Sequence, residues 1–109
     1  MGEISFQEFK KLDLRIGQIK EAKRVKDSRN LIRFQVDFGS EKLQAVAGLA
    51  KHYKPEQLEG NKYMFICNLE RKKIMGIDSE CMIFAADNGK GNVVLMKPET
   101  DIEVGSIVR

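Results

Sequence analysis

Residues 32 to 38 alternate without interruption, with Ile32, Phe34, Val36 and Phe38 apolar and Arg33, Gln35 and Asp37 polar between them. A period of two puts the two sets on opposite faces and predicts a half-buried strand. "GSEK" closes a hairpin after it, and residues 43–50 return as a further strand. Upstream, Leu12, Leu14 and Ile16 alternate with Asp13 and Arg15. The phase then changes at Gly17, after which Ile19 is apolar. A glycine at a phase change predicts a bulge or a sharp bend in a strand. Before that strand, Ser5 with Glu8 three residues later has the form of a capping box and predicts one or two helical turns. "KPEQLEG" places Pro55 at the start and Gly60 just past the end of a single helical turn. Strands over residues 63–69, 77–86 and 93–96 complete the pattern, with "DNGKGN" as a turn. Short strands with one helical turn between the third and the fourth predict an all-β chain, a small five-stranded Greek-key barrel in the order of the oligonucleotide/oligosaccharide-binding fold, the OB-fold.

With 109 residues, 42% hydrophobic and 32% charged, the chain fits one soluble domain spanning residues 1–109. No stretch is apolar for long enough to cross a membrane, and no charged-then-apolar leader opens the chain. Cys67, Cys81 and the lone His52 have no metal-ligand spacing, and two unpaired thiols suit a reducing cytoplasm. Catalysis is not indicated. His52 in "AKHYKP" has no partner in the sequence, no acid pair stands out, and "GKGN" lacks the residues that complete a phosphate-binding loop. The expectation is therefore a binding protein, with no cofactor and no metal.

Charge changes the picture through its distribution. The net charge is only +3, but residues 20–33 hold Lys20, Lys23, Arg24, Lys26, Arg29 and Arg33 against Glu21 and Asp27. The end of the chain is acidic, with Glu99, Asp101 and Glu103. Local cation density is what a polyanion meets. The bland reading of such a run is a solvated strand face. Two clusters are candidates for binding. Arg29, Asn30 and Arg33, with Gln35, lie on or beside the polar face of the 32–38 strand. Asn68, Arg71, Lys72 and Lys73 follow the next apolar run, where a loop over the barrel mouth could touch phosphates. Asn68 and Ser79 could add neutral hydrogen bonds. There is no Trp, there are two Tyr, and the phenylalanines fall mostly at core spacing, which disfavours single-strand binding by stacked aromatics. Recognition of folded, A-form RNA by shape and backbone suits this set better.

"FKKLDLRIGQIKEAKRV", "VAGLAKHYKPEQLEG", "NLERKKIMG" and "SECMIFAAD" occur in this order, and the chain resembles the tRNA-binding domain family. That family includes the C-terminal domain or detached beta subunit of methionyl-tRNA synthetase and the domains of the endothelial monocyte-activating polypeptide type. The resemblance implies an OB-fold with extra C-terminal strands and no catalysis of its own. It also implies a homodimer that binds tRNA by shape, largely without regard to sequence, and supports an aminoacyl-tRNA synthetase. Asn68, Leu69, Lys73 and Gly76 match the family's Asn-Leu-x-Pro-Arg-Lys-x-x-Gly motif, with Arg71 in place of proline and Lys72 in place of arginine. Ser79 and Met82 match its Ser-x-Gly-Met motif, with Cys81 in place of glycine. Arg29 falls where the family carries a basic residue. The implied RNA-binding set is thus Arg29, Asn30, Arg33, Asn68, Arg71, Lys72, Lys73, Ser79 and Met82. Val104, Ile107 and Val108 are apolar residues short of partners in a small barrel and suit a dimer contact. The alternative within the same fold is a dimeric peptide-binding export chaperone. "VAGL" and Met82 favour RNA, and Cys81 leaves the alternative open. A cytokine-like extracellular role has no support in the sequence.

Overall fold

The computed structural model describes residues 2–109. Its organising element is β1 (Leu14–Arg24), which is long because it serves two partners. Residues 14–18 pair with β4 (Lys62–Ile66), and the stretch from Gln18 to Arg24 pairs with β2 (Ile32–Asp37), both antiparallel. The strand bends where it changes partner. A Cβ at Gly17 would stand 2.6 Å from Phe38 Cε1 and 2.6 Å from Val36 Cγ1, so a side chain here would push the core apart. A bulge between Ile19 and Glu21 follows. Together the bend and the bulge account for the two shifts in burial along the strand, from Ile16 to Ile19 and from Ile19 to Ala22.

β3 (Lys42–Ala47) pairs with β2, and β7 (Met82–Ile83) pairs with β4, giving the sheet order β3-β2-β1-β4-β7. The sheet curls until its ends meet. Glu80 N–H donates to Gln44 O at 2.8 Å, and Glu80 Oε1 accepts from Gln44 N–H at 2.9 Å. This is the nearly closed five-stranded OB-type barrel that the alternation predicts, with only two tiny helices among the described residues, α1 (Phe6–Phe9) and α2 (Pro55–Leu58). The apolar set Ile32, Phe34, Val36 and Phe38 is fully buried, as its period requires. Phe38 meets Phe65 edge to face at 5.4 Å between ring centroids, a geometry that adds to plain area burial. Ser5 caps α1, its Oγ accepting from Glu8 N–H at 3.1 Å.

Two expectations are corrected. The strand expected over residues 77–86 is three pieces, because the chain changes hydrogen-bond partner at each break: β6 (Ile77–Ser79), β7, and β8 (Ala85–Asp87). β6 pairs with β5 (Lys72–Ile74), β7 with β4, and β8 with β9 (Val93–Leu95). The strand expected over residues 63–69 ends at Ile66, because Asn68 turns its amide to the segment before β1. The C-terminal residues cover the other edge of β1. Gly105 N–H donates to Ile16 O, Ile16 N–H to Ser106 O and Val108 N–H to Leu14 O, at 2.7, 2.9 and 2.8 Å. An open strand edge is thereby closed against foreign pairing.

Candidate nucleic-acid interface

The cation triplet Arg71, Lys72 and Lys73 does not sit on an open loop. Lys72 and Lys73 are in β5, paired Lys72↔Ser79, Lys73↔Asp78 and Ile74↔Ile77 with β6. Met75 and Gly76 form a two-residue turn in which both backbones have positive φ, +49° and +79°. That is the sign pattern of a type I′ turn, whose twist matches a hairpin. The hairpin is bolted to the barrel at its base. Ser79 Oγ accepts from Val46 N–H at 3.1 Å and donates to Cys81 O at 3.3 Å. Gln44 Nε2 donates to Asp78 O at 2.8 Å, and Gln35 Nε2 donates to Gln44 Oε1 at 2.9 Å. Two of the three cations already have carboxylate partners: Arg71 Nη1 lies 2.6 Å from Glu80 Oε2, and Lys73 Nζ lies 3.3 Å from Asp78 Oδ1. The cations of both pairs are largely in solvent, so the pairs neutralise field more than they add stability. Lys72 alone of the triplet has no carboxylate partner among the described residues.

The other cluster has the opposite balance. Lys23 and Arg33 are directly opposite each other across the β1–β2 ladder. Like charges in register destabilise a sheet. Lys23 reaches Glu21 at 3.3 Å, whereas Arg24, Lys26, Arg29 and Arg33 have no carboxylate partner among the described residues. The turn between the strands is tied by Ser28, whose Oγ accepts from Asn30 N–H at 3.3 Å and Leu31 N–H at 3.1 Å, and Arg29 is exposed on it. Asn30 turns inward. Its O accepts from Ala50 N–H at 2.9 Å, its Nδ2 lies 2.8 Å from where a Gly48 Cβ would be, and its Oδ1 is buried without a protein partner.

Barrel closure joins the clusters. Lys23, Arg24, Lys26 and Arg33 share a groove of about 340 Å³ with Met75 and Ile77 of the hairpin. A second, smaller groove of about 190 Å³ is lined by Leu69, Lys72, Ile74, Ser79, Cys81 and Met82 among others. Met82 is half exposed there, rather than packed in the core. Asn68 lines neither groove. Its Oδ1 accepts from Asp13 N–H at 2.9 Å and its Nδ2 donates to Lys11 O at 2.6 Å, fastening the entry of β1 to the end of β4. Cys81 is 5% exposed in the core, where burial pushes its thiol up to about 12; burial likewise lifts Cys67 to about 11. Thiols held protonated in this way are poor nucleophiles. His52 is exposed, and among the described residues no group of acidic, His and Cys side chains could hold a metal ion. No helix among the described residues is long and apolar enough to cross a membrane.

The β2–β3 face and the loops after the first and fourth barrel strands are where OB-folds take oligonucleotides and oligosaccharides. Here those places carry the cations without carboxylate partners among the described residues and the hairpin, and the class is an OB-type barrel with a cationic groove. Comparison with known proteins makes this specific. Residues 14–107 match the family model described as "Putative tRNA binding domain". The chain is 44% identical over all 109 residues to the methionine–tRNA ligase of Methanocaldococcus jannaschii, of which it spans only 17%. Among solved structures, a MetRS-related protein from Pyrococcus horikoshii superposes with a TM-score of 0.95 at 36% identity, each chain covering all of the other. The chaperone CsaA from Bacillus anthracis superposes at 0.92 with 31% identity, over 99% of this chain and 100% of that one. The chain belongs to the tRNA-binding domain family.

Proposed function

We propose that the chain binds tRNA through the cationic groove between β1–β2 and the β5–β6 hairpin, by backbone and shape, and that it serves a methionyl-type aminoacyl-tRNA synthetase in the cytoplasm as a non-catalytic, beta-subunit-like partner. The observation that carries this is the Lys23/Arg33 pair, two cations in direct register on a ligand face, with Arg24, Lys26, Arg29 and Arg33 lacking carboxylate partners among the described residues. A sheet does not gain from that arrangement alone, whereas a phosphate backbone does. Arg29, Arg33 and Lys72 are the direct contacts in this reading, joined by Lys23, Arg24 and Lys26. Arg71 and Lys73 reach phosphate only by exchanging Glu80 and Asp78 for it. Asn30, Asn68 and Ser79 position the loops, and Met82 lines the smaller groove. The working unit is a homodimer. Ile107 at 74% and Phe6 at 69% exposure supply apolar surface for it, while Val104 and Val108 are half-buried in the chain's own fold.

A peptide-binding reading has one observation in its favour: the smaller groove is walled by Leu69, Ile74 and Met82, beside a fold also found in CsaA. The test is a pair of affinities, for tRNA and for an unfolded polypeptide, measured on the wild type and on Arg24→Ala/Arg33→Ala. Loss of two phosphate contacts lowers tRNA affinity at least tenfold and flattens the log K against log salt slope by roughly 1.5. Peptide affinity stays level. Unchanged tRNA binding with an unchanged slope removes this face from the interface, and tight peptide binding without tRNA binding selects the chaperone reading.

A further inference from the structure

Met75 occupies the first position of the hairpin turn with φ +49°, a left-handed backbone that suits Asn or Gly and strains a long apolar residue. It gains little from burial in exchange, being 57% exposed. Nor is the turn short of alternatives, since Asn would satisfy the same backbone with less strain. A conformational cost held at an exposed tip needs a reason outside the fold. The surroundings supply one, because Met75 and Ile77 form the apolar side of the groove whose other side is Lys23, Arg24, Lys26 and Arg33. An apolar, polarisable tip facing cations across a groove matches a ligand with a flat aromatic part and a phosphate next to it. The thioether packs on an aromatic ring, and the cations take the phosphate.

The geometry points to Met75 as a base-contacting residue: the hairpin tip packs against an unstacked nucleobase whose flanking phosphates lie on Lys23, Arg24, Lys26 and Arg33. This rests on the RNA-binding reading above and adds to it a demand for an unpaired base, which backbone and shape recognition alone does not make. A folded tRNA offers such bases in its loops, and a blunt, fully paired RNA duplex offers none.

The test is Met75→Asn, a change that favours the turn and so leaves folding intact, with thermal melting as the check. Affinity for tRNA falls about three- to tenfold, the size of one sulfur–aromatic contact. The salt slope stays at its wild-type value, because no phosphate contact is removed. Affinity for a fully paired RNA duplex does not change. Met75→Leu, still apolar, recovers affinity relative to Met75→Asn. Wild-type tRNA affinity in Met75→Asn overturns the inference, as does an equal loss on tRNA and duplex. If Arg24→Ala/Arg33→Ala weakens tRNA binding while Met75→Asn does not, the groove binds RNA and only the base contact fails. A wild-type protein that does not bind tRNA at all overturns both.

Discussion

Cys81 stands where the resembling family carries glycine, and restoring that glycine separates packing from binding. The backbone does not ask for it, since Met75 and Asp27 are the only non-glycine residues with positive φ among the described residues. The side chain, by contrast, is 5% exposed in the same cluster as Phe34, Phe65 and Ile83. Cys81→Gly removes a buried methylene and thiol, worth about 1.5 kcal/mol by transfer of the lost apolar surface. Glycine's extra freedom in the unfolded chain adds about 0.5–1 kcal/mol. The sum, about 2–2.5 kcal/mol, is a large part of the stability of a domain this size and corresponds to a fall in Tm of roughly 10 °C. This exceeds the backbone cost of glycine alone, because the thiol belongs to the core rather than to the surface. Urea unfolding followed by circular dichroism reads the free energy. Binding of tRNA, measured well below the transition, stays within about twofold, since the side chain does not line the cationic groove. A loss of less than about 0.5 kcal/mol would falsify the packing argument. Abolished binding in a folded variant would show that the smaller groove, which Cys81 helps to line, is part of the RNA site.

Asn68→Ala removes two hydrogen bonds to backbone in a partly exposed setting and costs about 1 kcal/mol in the same assay. Unchanged stability would free the amide for the RNA contact that its sequence motif suggests. Alkaline pH tests the thiol directly. Burial raises Cys81 from 9.0 to about 12, so the unfolded chain loses this proton first. The contribution is therefore complete below pH 9 and declines between about 9 and 12, by at most about 1.4 kcal/mol per pH unit. The wild type then loses stability more steeply than Cys81→Ala over that window, and parallel profiles would place the thiol in solvent.

Much of the barrel was legible because a buried strand face has to repeat every second residue. Ile32 to Phe38 announced β2, the phase change at Gly17 announced the bend in β1, and Pro55 with Gly60 bracketed α2. What stayed hidden was the hairpin. Its signal, two β-branched residues flanking a two-residue turn in Ile74-Met75-Gly76-Ile77, lacks the Asn or Asp that usually precedes the glycine. Without that turn, Asp78 and Glu80 read as scattered carboxylates. With it, register places Asp78 beside Lys73, and the return of the chain brings Glu80 to Arg71. Asn68 was legible as a motif residue, but its partners, Lys11 and Asp13, are 57 and 55 positions away, a distance that no local pattern spans.

This pairing moves the centre of the site. From residue 70 to residue 80 the three cations are matched in number by Glu70, Asp78 and Glu80, so the hairpin that looks most basic in one dimension is neutral as a unit. Residues 20–33 keep six cations against two acids. Fields add over the distances that separate neighbouring elements, and at ordinary ionic strength they reach only about 8–10 Å. A phosphate approaching the hairpin's outer face therefore meets charges that largely cancel, whereas one entering between the hairpin and β1–β2 meets Arg24, Lys26 and Arg33, which have no carboxylate partners among the described residues. Lys72 apart, the hairpin's contribution is then shape. Fixed to β3 through Ser79, Gln44 and Glu80, it forms the second wall of the groove and holds Met75 over cations that belong to a different part of the chain.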